Sequence, residues 1–433
     1  MKRKLISLLL TVALMLGVLS ISSCIGLFGS MLDTEEKTYS EEELEKIVSG
    51  VLAERDETNF DIGHITLESQ GDRNLLAASK GLLSSVSVYC TFDVRTLSGI
   101  GAWQQWVTME QTAGGSGVIF RMSAEDKVKG DAYVITNYHV VYNASATSKN
   151  KIAKSIKLYL YGMEQEQYAM DAEFIGGSMR YDIAVLKISD SSVLRAATVL
   201  EADFADSDKV TVLDTAIAIG NPNLAGISAT VGHVNVDSEY VTMMLADDAT
   251  QDTMRLIRID TAVNGGNSGG GLFNDQGEVI GIVNAKIVSD DIDNIGYAIP
   301  SNIALAVAES VLYYCDGQKA ESISRCMIGI TLSGTPKTGT VFDSESGKVY
   351  IVQEVEVESV NLGAPAYGKI AVGDIIKSIT VGGRTYEVTR NHNIVDSMLY
   401  ARVGDTVVIE IVRDGEPMRV EIAITEAALT SVT

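Results

Sequence analysis

The stretch DTAVNGGNSGGGLF, residues 260 to 273, sets five glycines around one serine, Ser268. Glycine costs folding entropy, so such a cluster needs a reason such as positive φ angles or a close approach of main-chain N–H groups to a ligand. An oxyanion hole is one reason; judged on these residues alone, a flexible loop between two strands is the other. The chain has four histidines, at 64, 139, 233 and 392, and only His139 directly follows a strongly apolar run, AYVITNYHVV. Asp182 opens the apolar run DIAVLKI. Singly, a His or Asp at a strand end reads as a satisfied structural group. Together, His139, Asp182 and Ser268 form an ordered set able to perform acyl transfer: Ser268 Oγ attacks a carbonyl, His139 carries the proton, and Asp182 holds the imidazole tautomer. The N–H groups of Gly266 and Ser268 then receive the developing oxyanion, with Asn267 shaping the turn between them.

Such a set needs a rigid frame. From Val86 to Ala298 the chain alternates short apolar runs with glycine, Asn and Asp, among them VSVYCTF, SGVIFRM, YDIAVLKI, RLIRID and EVIGIVNAKI. Many short strands with turns between them indicate a sandwich or barrel. No helices of 10 to 15 residues alternate with them, which excludes a doubly wound α/β sheet. After Pro300, Ser301 is placed to cap an amphipathic helix with Ala304, Val307, Ala308, Val311, Leu312 and Cys315 on one face. A second unit of about 100 residues follows, with strands at KVYIVQEVEV, GDIIKSITV and TVVIEIVRDGEPMRVEIAIT and a helix around 393 to 402.

The ends and the charge set the context. Residues 1–23 carry a basic start, an apolar run and small residues, the pattern of a secretory signal. Ile21-Ser22-Ser23-Cys24 resembles a bacterial lipobox, which makes Cys24 the expected lipidation site and an uncleaved membrane anchor the alternative. Residues 24–75 read as a polar spacer with one acidic helix, started by a capping box at Ser40. The net charge of −23 argues against nucleic acid as a partner. Of the remaining cysteines, Cys90 lies in an apolar strand and reads as a core thiol, whereas Cys315 and Cys326 are either free or bridged.

The segments GGSGVIF (114–120), YVITNYHVV (133–141), YDIAVLKI (181–188), AIGNP (218–222), DTAVNGGNSGG (260–270) and GYAIPSNIA (296–304) together resemble the HtrA (DegP- and DegS-like) serine proteases. The resemblance covers roughly 76 to 426. It implies a mainly β fold: a chymotrypsin-like double β-barrel over 76–316, then a small α+β PDZ domain over 326–426. Met327, Ile328, Gly329 and Ile330 stand where that family binds a peptide carboxylate, VGDII (372–376) matches its Gly-Asp strand and VRDGE (412–416) its last hairpin. The resemblance further implies an endopeptidase without metal or other cofactor, acting on unfolded or damaged proteins in the cell envelope. Its implied partners are C-terminal peptides, the membrane through a lipid anchor, and copies of itself in a trimer or larger assembly. A regulatory protease with one signalling substrate shares all this chemistry, and a non-catalytic PDZ scaffold or holdase is the different class.

Three features depart from the family pattern. Gly265 and Gly271 replace both prolines of Asn-Pro-Gly-Asn-Ser-Gly-Gly-Pro, so a less ordered resting oxyanion loop is expected. His233 follows Gly232 where an apolar residue is common, and is expected at the surface. Trp103 and Trp106 lie between the first two strands, where the family has a regulatory loop; they mark a contact surface or a local hydrophobic clasp.

Overall fold

The structure, a computed structural model, describes residues 70–98, 104–285, 295–316 and 323–432. The signal segment, Cys24, the capping box at Ser40 and Trp103 lie outside the described residues. Six strands form a first closed barrel: β1 (Ser85–Ser98), β2 (Gln105–Arg121), β3 (Ala132–Thr136), β4 (Ser155–Leu160), β5 (Met170–Ser178) and β6 (Ile183–Ile188), in the order β1-β2-β3-β6-β5-β4. Along β1 the side chains of Val86, Val88, Cys90 and Phe92 are buried at every second position, the period that turns one face of a strand inward. A second closed barrel follows the same logic with β7 (Thr215–Gly220), β8 (Ser228–Met244), β9 (Gln251–Ile259), β10 (Gly271–Phe273), β11 (Val279–Val283) and β12 (Gly296–Pro300), in the order β10-β11-β12-β9-β8-β7. Closure leaves neither barrel an open edge.

Helices brace the barrels. Helix α1 (Gln70–Ser84) starts ahead of the boundary expected at 76 and lies so close to the second barrel that a Cβ on Gly81 would come 2.5 Å from Ile219 Cδ1. A single turn, α2 (Tyr138–Val141), follows β3. Helix α3 (Ser301–Tyr314) closes the protease unit with Ile303, Ala304, Val307, Ala308 and Val311 buried. Ser301 does not cap it as expected: Pro300 holds the cap position without a side-chain bond, and Ser301 Oγ donates to Ala205 O at 2.7 Å. Cys315 and Cys326 are both free and buried, with Cys315 packed against the place where a Cβ on Gly176 would sit. Burial pushes the thiols up, Cys90 to about 12 and Cys315 to about 11, so neither is a reactive thiolate.

The smaller PDZ-like unit holds β13 (Ile323–Cys326), β14 (Ile330–Leu332), β15 (Thr338–Phe342), β16 (Val349–Gln353), β17 (Val357–Val360), β18 (Ile375–Val381), β19 (Arg384–Glu387), helix α4 (Asn391–Ser397), β20 (Thr406–Arg413), β21 (Glu416–Ala423) and β22 (Leu429–Val432). Its main sheet runs β19-β18-β20-β21, and β14 pairs with β17 in a separate two-stranded sheet. The stretch expected as one strand, KVYIVQEVEV, divides between β16 and the start of β17; in the residues between them Glu354 N–H donates to Lys337 O and Glu356 O accepts Ser333 N–H, both outside regular strand pairing.

Candidate active site

The first barrel supplies two members of the set. Strand β3 ends at Thr136, and α2 turns His139 back over the first barrel, beside Asp182. Asp182 sits just before β6 with φ +49°, a left-handed angle that aspartate tolerates better than most residues. That angle is held: Asp182 O accepts from Asn137 Nδ2 at 2.9 Å and from Tyr138 N–H at 3.2 Å. The buried carboxylate accepts His139 N–H through Oδ1 at 2.9 Å, and Oδ2 meets His139 Nδ1 at 2.7 Å. Asn284, at the end of β11, donates Nδ2 to the same Oδ2 at 2.9 Å. A carboxylate bound on this side leaves Nε2 as the free base of the imidazole. Ser268 is also buried, and its Oγ accepts Ala285 N–H at 3.3 Å. Among the described residues Oγ makes no bond to His139, so that contact has to form on the way to reaction, a common difference between free and substrate-bound sites.

The glycines around Ser268 have distinct tasks. Gly266 has φ +99°, and a Cβ there would lie 2.2 Å from Asn221 O. Gly269 has φ +84° and would strike Ser116 O at 2.3 Å. Among the described residues, neither Gly266 N–H nor Ser268 N–H donates to a protein acceptor, whereas the carbonyls around them are tied: Gly265 O accepts Asn223 N–H and Gly266 O accepts Ser116 Oγ, both at 2.8 Å. Ser116, fully buried on β2, organises much of this. Its Oγ also accepts Asn221 N–H at 2.8 Å, its N–H donates to Ser268 O at 2.8 Å, and its carbonyl accepts Thr136 Oγ1 at 2.7 Å. The loop that the two missing prolines were expected to loosen is therefore pinned from both barrels. At Gly271 the exchange is compensated, because the Phe273 ring lies 2.4 Å from where a Cβ would sit. Ser116 and Asn284 were not singled out by sequence: GGSG carried only a family match, and no local pattern marks Asn284.

Of the other expected positions, His233 is exposed and its N–H donates to Asp260 Oδ1 at 2.6 Å. Trp106 is exposed beneath the Arg95 guanidinium, 5.2 Å from its ring centre. In the PDZ-like unit Gly329 has φ +77°, Gly329 O accepts Asn361 N–H at 2.8 Å, and Ile328 is buried. Met327 needs correction as a carboxylate donor: its N–H is taken by Ala428 O at 2.8 Å. The Ile328 and Gly329 N–H groups have no acceptor among the described residues. Asp374 of the VGDII match is structural, gripped by Arg413 through two 2.7 Å bonds.

A buried polar cluster that the sequence did not reveal joins the two units. Arg255 on β9 meets Asp396 of α4 at 2.5 Å and Asp208 at 3.5 Å. Asp208 in turn accepts Asn393 Nδ2 at 2.8 Å and faces His392 Nε2 at 3.4 Å, while Arg390 pairs with Asp237. Burial would raise the Asp208 carboxyl, but the His392 contact and the Arg255 charge outweigh it and hold it at about 2. No group of three or more metal-ligating side chains occurs among the described residues, and none of their helices is long and apolar enough to cross a membrane.

Residues 115–282 match the model of the trypsin-like peptidase domain. The chain is 34% identical over 318 residues to the serine protease Do-like HtrA of Bacillus subtilis (strain 168), covering 71% of this chain and 62% of that protein. It is 32% identical over 329 residues to the serine protease Do-like HtrA of Lactococcus lactis subsp. lactis (strain IL1403), covering 74% of this chain and 72% of that one. It thus spans somewhat less than two thirds of the Bacillus relative's length and somewhat more of the Lactococcus one. Among solved structures, the HtrA-type protease AlgW with decapeptide aligns at 25% identity and a TM-score of 0.47 over 82% of this chain and 98% of that chain.

Proposed function

We infer, since this chain belongs to the HtrA family of trypsin-like serine endopeptidases, that it hydrolyses peptide bonds in misfolded or unfolded proteins outside the cytoplasm, under the control of its PDZ-like unit. The observation that carries the reading is the 2.7 Å His139–Asp182 contact together with Ser268, whose own N–H and that of Gly266 have no acceptor among the described residues. Ser268 Oγ adds to the scissile carbonyl as its proton passes to His139 Nε2. Asp182 stabilises the imidazolium that results, and the carbonyl oxygen, now an anion, is received by Gly266 N–H and Ser268 N–H. His139 then protonates the leaving amine, and water repeats the sequence to release Ser268. Asn284 fixes the carboxylate by donating to Oδ2, the same oxygen that meets the imidazole.

In the PDZ-like unit, the Ile328 and Gly329 amides take up a C-terminal carboxylate, and the peptide adds as a strand along β14 beside Ile330. The lipobox-like segment supports a lipid tether at Cys24 on the outer side of a bacterial cell membrane, and the family resemblance supports a trimer or larger assembly. The reading is tested by a fluorophosphonate probe and by casein cleavage. Wild type is expected to be labelled and active, while Ser268→Ala is unlabelled and inactive; casein cleavage by Ser268→Ala at the wild-type rate would overturn it. The accessory readings have their own tests. Equal affinity for acid and amidated peptides removes the carboxylate site, Cys24→Ala remaining in the membrane fraction removes the lipid tether, and a monomer in sedimentation removes the assembly.

A further inference from the structure

At the junction of the two units lies a cavity of about 390 Å3, an open groove rather than an enclosed void, that the catalytic reading does not use. Its wall includes Arg121 at the end of β2, Glu309 and Tyr313 on α3, and Arg384, Tyr400 and Arg402 from the PDZ-like unit. Three guanidinium groups thus face one carboxylate, in a chain whose net charge is −23. Arg384 shares Glu309, with Nη2 3.6 Å from Oε1. Among the described residues, no carboxylate lies within ion-pair distance of Arg121 or Arg402.

The Arg402 guanidinium is held by neutral groups, while its backbone N–H donates to Asp405 Oδ2 at 2.8 Å. Its Nη1 donates to Leu399 O at 2.7 Å and Ala401 O at 3.0 Å, and its Nη2 donates to Ser310 Oγ at 2.9 Å. Its guanidinium stacks over Tyr313 at 5.1 Å and Tyr314 at 5.5 Å, as Arg384 stacks over Tyr400 at 5.2 Å. Neutral acceptors and ring faces fix a guanidinium in place without cancelling its charge. The lining side chains alone therefore carry a formal excess of two positive charges, with Arg384 and Arg402 pre-positioned, Arg121 exposed and the Asp405 carboxylate beside the Arg402 backbone.

We propose that this cavity binds a small phosphate-bearing anion, with Arg121 of the protease unit and Arg384 and Arg402 of the PDZ-like unit holding it together. The charge excess matches a phosphate dianion, and guanidinium forks suit its oxygens. The volume exceeds that of inorganic phosphate alone, so it accommodates a phosphate ester whose substituent lies beside the exposed Tyr313. Either a soluble phosphate ester or a phospholipid headgroup supplies this chemistry. An occupied site contacts both units, so its ligand also favours their docked arrangement.

The test is calorimetric titration of the full chain with inorganic phosphate and with glycerol 3-phosphate at fixed ionic strength. Both are expected to bind, glycerol 3-phosphate more tightly, and Arg384→Gln and Arg121→Gln are each expected to weaken binding about tenfold. Arg121 is exposed, so its replacement leaves the fold intact even if Arg384→Gln does not. Flotation with phosphatidylglycerol and phosphatidylcholine vesicles separates the sources. Flotation with the anionic lipid alone, lost in the arginine variants, assigns the site to a headgroup; glycerol 3-phosphate binding without flotation assigns it to a soluble ester. No binding of either probe at about 10 mM, or equal binding and flotation by wild type and both variants, overturns the proposal.

Discussion

Arg255→Leu removes the cation at the centre of the junction between the two units. In the native chain its side chain is 4% exposed, with Asp396 at 2.5 Å and Asp208 at 3.5 Å. Breaking a buried pair by removing one partner typically costs about 3 to 5 kcal/mol, because the remaining carboxylate is left uncompensated. That strain has a ready outlet: if α4 leaves β9, Asp396 regains water while both barrels stay closed. The expected result is early release of the PDZ-like unit in calorimetry, ahead of the protease unit. For a unit near 100 residues the loss corresponds to a fall in its midpoint on the order of 10 °C or more. Arg255→Leu combined with Asp396→Leu should recover much of this, because a buried ion pair exchanged whole for apolar side chains is often neutral. A midpoint within about 2 °C of wild type for the single variant, or a double variant whose loss equals the sum of the singles, would refute the reasoning.

Asp208 predicts an acid limit for the same junction. Its folded value of about 2 lies below the ordinary 3.8, so the stabilisation, about 2 kcal/mol, is fully present above pH 4 and is lost as pH falls toward 2; urea unfolding between pH 5 and pH 2 should show it, and Asp208→Asn should flatten that dependence. Ser116→Ala leaves Gly266 O and Asn221 N–H unsatisfied beside the oxyanion site, so kcat on a chromogenic peptide should fall about 10- to 100-fold with KM little changed; an unaltered kcat in a folded variant removes Ser116 from the positioning of the loop. Gly265→Pro has room, since nothing lies within 4 Å of a Cβ there and its φ is outside the left-handed region. It should stabilise the chain by about 0.4 to 1 kcal/mol while the basal rate stays within about twofold, because the loop is already pinned; a several-fold faster enzyme would mean that the resting loop is mostly disordered.

How much was legible depends on the sequence distance over which each feature is built. Strands and barrels were readable because period-two burial is a local property, as in Val86, Val88, Cys90 and Phe92. His139, Asp182 and Ser268 were readable because each sits beside a strong local signal, an apolar run or a glycine cluster, and their order along the chain is itself informative. Ser301 misled because a serine after a proline satisfies the cap pattern, while its hydroxyl prefers Ala205 O, 96 positions away. His392 could not have been singled out, since Asp208, Arg255 and the helix carrying Asp396 meet only when the two units dock.

The glycines around Ser268 join these two kinds of legibility. Their abundance announced an unusual backbone, yet the sequence alone could not separate those needed for geometry from those that merely replaced proline. At Gly266 and Gly269 a positive φ and a carbonyl less than 2.5 Å from the would-be Cβ make any side chain incompatible with the loop. At Gly271 the obstacle is the ring of Phe273, a fully buried side chain two positions on, so glycine and phenylalanine there form one packing solution. Only at Gly265 is there neither strain nor contact. Restoring proline there should be cheap, whereas restoring it at Gly271 requires a smaller residue at 273 as well. Rigidity lost by removing two prolines is thus replaced by bonds from elsewhere, above all from Ser116, which reaches the nucleophile loop from the opposite barrel. The order of the oxyanion loop consequently depends on how the two barrels meet. A perturbation that shifts one barrel against the other acts on Gly266 O and Ser268 O together, and so on the site's activity, without touching a reacting atom.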